Sequence, residues 1–142
     1  MPITTIAGPI VGTSDDFKEA NLYCLHARRR SSYDLAFKLS SLGFGDTAVI
    51  FLDIVEFLRR VMEAAHRAEH RVSYQLVEYV DHDTHSGPMG LFRKFSKYAD
   101  QREHRIAVLP GAGGPVSLYV GPLHDITKTV SAYDYLKLCR KT

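Results

Sequence analysis

Between Ala48 and Ala65 the chain passes directly from a wholly apolar run into an amphipathic helix, and this pair of elements constrains the fold more than any other feature. Ala48-Val49-Ile50-Phe51-Leu52 carries no polar side chain, as expected of a strand buried on both faces at the centre of a sheet. Asp53 with Glu56 three residues later is a capping arrangement, and Leu52 with Phe57 predicts a hydrophobic staple across the helix start. Ile54, Phe57, Leu58, Val61, Met62 and Ala65 then recur at helical spacing, leaving Arg59, Arg60, Glu63, His66, Arg67 and His70 on wetter faces.

The remaining segments extend this into a mixed α+β fold, with a largely antiparallel sheet and about three helices packed on it. Asn21 to Ala27 alternates and reads as a half-buried strand that ends in the cationic turn Arg28-Arg29-Arg30. Ser31 with Asp34, followed by Leu35, Leu39, Leu42 and the stop signal Gly43, predicts a helix. Val72 to Val80 reads as a strand, and Asp81 to Gly90 as a long polar loop of the kind that often carries function. A further strand from about Arg102 to Leu109 is expected to form a hairpin with Pro115 to Val120 across Gly111-Ala112-Gly113-Gly114. Ser131 with Asp134, and Val130 with Tyr135, predict a capped and stapled C-terminal helix through Leu136, Leu138 and Cys139.

Composition narrows the classes of function. A chain of 142 residues suits a single domain, 1–142, with the Gly- and Pro-broken stretch 1–16 expected to be loose. With 18 basic against 16 acidic residues the net charge is +2, so no global field calls for nucleic acid or membrane, and any basic patch is local. The two cysteines make no disulfide framework. The longest apolar run falls far short of a bilayer span, and no secretory leader pattern is visible at the N-terminus. A cytoplasmic location with reduced thiols and no membrane partner is therefore expected.

Several candidate motifs meet a simpler reading. His66-Arg67-Ala68-Glu69-His70 matches the H-x-x-E-H pattern of inverted zinc peptidases, yet both histidines lie beside solvent-facing arginines, and too little chain follows for a distant third ligand. A solvated helix face is the better account, and no metal is expected. Arg28, Arg29 and Arg30 offer phosphate contacts for nucleic acid, with tyrosines to stack bases, or else form a basic surface turn. The glycine clusters precede strands rather than helices, which disfavours phosphate cradles. There is no G-x-S-x-G, and Cys24 lies in an apolar strand where burial raises its pKa.

Gln101-Arg102-Glu103 remains. Two-residue spacing puts Gln101 and Glu103 on one face at the entrance to an apolar strand, where one can orient a substrate and the other meet developing positive charge. Here the chain resembles ADP-ribosyltransferases, whose Q/E-x-E turn precedes such a strand. That resemblance implies catalytic roles for Glu103, on the nicotinamide ribose and its oxocarbenium-like transition state, and for Gln101, in selecting the acceptor. It also implies NAD as cofactor, bound by His26 or Arg28 at the end of the early strand, with Ser31, Ser32 or Tyr33 supplying a later motif. The competing reading of Glu103 is an ion pair with Arg102, Arg105 or Lys97.

A second likeness runs further along the chain. Gly43-Phe44-Gly45-Asp46, the apolar strand, Glu56-Phe57-Leu58-Arg59-Arg60, Phe92-Arg93-Lys94, Tyr98, Gln101, Glu103 and Arg105 together look like uncharacterised bacterial and phage proteins of the DUF2971-like kind. It implies an origin and no reaction. Two functions follow as expectations: an ADP-ribosyltransferase-like domain that modifies a macromolecular target, or a non-catalytic phage or bacterial binding protein. The second would act on a protein or nucleic acid through Arg28 to Arg30 and the Asp81 to Gly90 loop.

Overall fold

A computed structural model of the chain describes residues 3–5, 20–27, 46–111 and 113–135. The elements in order are β1 (Ile3–Thr5), β2 (Asn21–Ala27), β3 (Thr47–Phe51), α1 (Ile54–Arg67), β4 (Arg71–Leu76), β5 (Glu78–Val80), β6 (Arg93–Phe95), a 3-10 helix (Ser96–Gln101), β7 (Glu103–Leu109) and β8 (Thr127–Ser131). Six strands form one sheet in the order β4-β7-β2-β1-β3-β8, and every neighbouring pair is antiparallel. Strands β5 and β6 pair in parallel as a separate two-stranded piece. The class is thus α+β with antiparallel pairing in the main sheet.

The apolar strand 47–51 lies inside the sheet but not at its centre, because β8 covers its outer side. The most enclosed strand is β7, buried from Glu103 through Val108 between β2 and β4. That placement overturns the expected hairpin. Both hydrogen-bonding edges of β7 are occupied by strands from far upstream, and 115–120 runs as irregular chain, with Leu118 and Val120 packed against the core.

Helix α1 follows its sequence closely. Asp53 caps it, accepting the Glu56 amide at 3.0 Å, and Phe57, Leu58, Val61, Ala64 and Ala65 are buried. The staple partner is corrected: Leu52 is 62% exposed, and Phe57 stacks instead on Phe51, with ring centroids 4.2 Å apart. The helix lies over the sheet face that presents Leu25, Ile106 and Val72, and these residues with Phe51 and Ile126 form the main core. Arg60 ties the helix to the segment before β8, donating to both Asp125 oxygens and to the Pro122 carbonyl.

Among the described residues two helices lie complete, α1 and the 3-10 helix, against about three expected. The helix predicted over Ser31 to Gly43 lies outside the described residues. The C-terminal helix opens at 132–135, where the Asp134 amide donates to Ser131 Oγ and Tyr135 packs with Val130, Ala48 and Ile50, so its cap and staple both form. Its continuation lies outside the described residues. The strand expected over Val72 to Val80 breaks at Val77, whose amide turns to the Glu103 carbonyl at 2.8 Å while Glu78 begins a new pairing.

Candidate functional site

The turn into β7 is made by one backbone feature. At the end of the 3-10 helix Arg102 adopts the left-handed conformation, φ 40° and ψ 55°, and its amide donates to the Ala99 carbonyl. A side chain with a Cβ rarely sits there. The reversal sends the chain from Gln101 into the first residue of β7, so Gln101 and Glu103 flank a turn rather than two positions of one strand.

Their side chains nevertheless meet. The Lys94 ammonium, on β6, donates to Gln101 Oε1 and, at 3.1 Å, to Glu103 Oε2. Glu103 Oε1 accepts from Arg105 Nε at 2.8 Å, and the Glu103 amide donates to the Tyr79 hydroxyl at 2.8 Å. Arg105 is 2% exposed and also donates to the carbonyls of Leu91 and Arg93. Strand periodicity explains the geometry: Glu103 and Arg105 are two apart on β7, so both face the side of the sheet opposite α1, under β6 and the 3-10 helix. Tyr98 completes the cover, with the Lys94 and Lys97 ammonium groups each 4.9 Å from its ring centroid.

Burial alone pushes the Glu103 carboxyl up, but the hydrogen bonds from Arg105 and from the Cys24 thiol, with the Arg105 and Lys94 charges, outweigh it and hold it below the usual carboxylate range. Cys24, on β2, is moved the opposite way: burial first, then the negative Glu103, push its thiol well up. It is a poor nucleophile there. The site is therefore a closed ionic cluster, in which one carboxylate is neutralised by two cations.

His26 is the register partner of Glu103 across the β2–β7 pair, on the same sheet face. Its Nδ1 lies 2.7 Å from the Gln101 carbonyl, and the ring is 3% exposed. Of the residues singled out by sequence, Gln101, Glu103 and His26 thus come together, while Arg28, Ser31, Ser32 and Tyr33 lie outside the described residues. Lys94 stood in the sequence only within the second resemblance and Tyr79 only within a strand, and neither was tied to Glu103, since nothing local joins β6 or β5 to the turn. Arg105 was legible as a pairing candidate, because an opposite charge two positions along a strand shares its face.

The H-x-x-E-H segment does not form a helical pair of imidazoles. Helix α1 closes in a Schellman motif, with the Glu69 amide on the His66 carbonyl and the His70 amide on the Ala65 carbonyl, and Glu69 at φ 61°. His70 is therefore past the helix end. Among the described residues no group of three or more His, Cys, Asp or Glu side chains is placed to hold a metal ion. In the polar loop, Asp81 Oδ1 accepts the amides of Asp83 and Thr84, which shapes an exposed turn.

Comparison of the chain with protein-family models, with curated proteins and with solved structures finds no match. No helix among the described residues is long and apolar enough to cross a membrane. The functional reading consequently rests on the geometry of the cluster.

Proposed function

We propose that this chain is a non-catalytic binding protein that engages a partner protein or nucleic acid, and that Glu103 serves its fold rather than a reaction. The closure of Glu103 supports this. A carboxylate that steadies an oxocarbenium-like centre has to present an oxygen to substrate. Glu103 is 5% exposed, and both of its oxygens are taken up by Arg105 and Lys94. The partner surface in this reading is the exposed Asp81 to Gly90 loop together with the basic residues Arg28, Arg29 and Arg30.

One observation favours a second reading, an ADP-ribosyltransferase-like domain that uses NAD to modify a macromolecular target. Gln101, Glu103 and His26, the residues that the resemblance assigns to this chemistry, converge at one place. Catalysis there requires Lys94 to leave the carboxylate when NAD arrives. The two readings separate on the unaltered chain incubated with NAD and a bacterial lysate, with nicotinamide release and labelling of lysate proteins measured. No release above the blank is expected. Release that disappears in a folded Glu103→Gln variant overturns the binding reading and establishes the enzyme.

A further inference from the structure

The charges along α1 divide into two groups. Near its start, Arg59 is matched by Glu56 and Glu63, and Arg60 by Glu56 and Asp125. At its end, Arg67 and then Arg71, the first residue of β4, meet no carboxylate among the described residues. The Arg67 guanidinium donates only to the Tyr119 carbonyl there, at 3.3 Å.

These two arginines border a groove of about 580 Å3, within the range of small-molecule sites. Met62 and Val72 give it an apolar lining, and His66 and His70 add imidazoles beside the arginines. The one carboxylate on the lining, Glu63, is already engaged by Arg59. A bare helix C-terminus repels anions through its exposed carbonyls. Here the Schellman closure occupies the Ala65 and His66 carbonyls, which weakens that repulsion. The His70 Nδ1 is enclosed without a hydrogen-bond partner among the described residues, so this corner also holds unused polar capacity.

We propose that this groove binds a small organic anion: a flat apolar body carrying one phosphate or carboxylate, with Arg67 and Arg71 on the head group and Met62 and Val72 against the body. It is a surface distinct from the Asp81 to Gly90 loop and stands independently of the reading above. Arginine suits the head group because its planar fork matches either oxyanion bidentately.

The test is titration of the full chain with phenyl phosphate, and separately with benzoate and inorganic phosphate, followed by amide chemical shifts and the ring protons of His66 and His70. Saturable shifts at the groove are expected with one or both aromatic probes, at an affinity about fivefold or more above that of inorganic phosphate, since each buried CH2-sized apolar increment adds about 0.8 kcal/mol. Arg71→Gln, at an exposed strand start, is expected to weaken binding about tenfold, the loss of one charge-assisted hydrogen bond. Lys128→Gln, exposed on β8 at the opposite edge of the sheet from β4, is expected to leave it unchanged. Shifts that never saturate, equal affinity for inorganic phosphate, or an equal loss in both variants each overturn the proposal.

Discussion

At the scale of single residues the weight falls on Glu103 and Arg105. A buried pair of this kind gains little over well-packed apolar groups, yet removing one partner strands the other charge in the interior. Arg105 is the more enclosed of the two and has no route to water without disturbing β6. Glu103→Gln is therefore expected to lower the unfolding free energy by about 3 kcal/mol in urea titrations. Lys94→Met is expected to lose less than half of that, because the lysine side chain is 21% exposed and Arg105 still neutralises the carboxylate. Equal losses would mean that the cluster acts as one unit through Lys94. The sequence displayed Gln101, Glu103 and Arg105 as neighbours, and strand periodicity sufficed to put the last two on one face. It did not place Lys94 or Tyr79 beside them, because their approach depends on how β5 and β6 fold back over the sheet.

At the scale of elements, α1 shows where local signals suffice and where they fail. Its start was legible: Asp53 and Glu56 form the expected cap, and the apolar stripe is the buried face. Its end was not, since the chain offers no glycine there and instead forces Glu69 to φ 61°. A carboxylate at this position is doubly unfavourable, straining a backbone that glycine adopts readily and adding negative charge at the negative end of the helix dipole. Glu69→Gly is expected to stabilise the protein by about 1 kcal/mol, read as a rise in the thermal midpoint. A fall would show that the Glu69 side chain makes a contact worth more than the strain. The failed hairpin has the opposite origin. Leu109-Pro110 and the glycine-rich turn are a correct local stop signal, but turn chemistry says nothing about whether the edge of β7 is already occupied. Here β2 and β4 occupy both edges.

Across the whole molecule, the α+β class was legible because two-residue and helical periodicities alternate along the chain. The strand order was not, because order is decided by pairings between segments distant in sequence, such as β2 with β7. That order fixes the pH behaviour of the protein through the two faces of β7. On one face lies Glu103, held below its ordinary value near 4.5 by Arg105 and Cys24 despite burial. On the other lies His104, in register with Leu25 and Leu76, 8% exposed, its ring centroid 6.0 Å from that of Tyr74, and pushed below its ordinary value near 6.5 by burial. Its Nδ1 has no hydrogen-bond partner among the described residues. The sign is the same for both groups. A histidine lowered in the folded state takes up its proton more readily when unfolded, so stability falls as pH drops below about 6.5. A carboxyl lowered in the folded state does likewise, with the loss beginning below about 4.5. The urea midpoint is thus expected to be flat between pH 7 and 8, to decline first as His104 protonates in the unfolded chain, and to decline again as Glu103 does, together with Glu56 and Asp125, which their arginine partners also lower. His104→Phe fills the same apolar row without a titrating group and is expected to remove the upper limb alone. An unaltered upper limb in that variant would assign the effect to another histidine, and would make the enclosed ring a packing element with no part in the acid response.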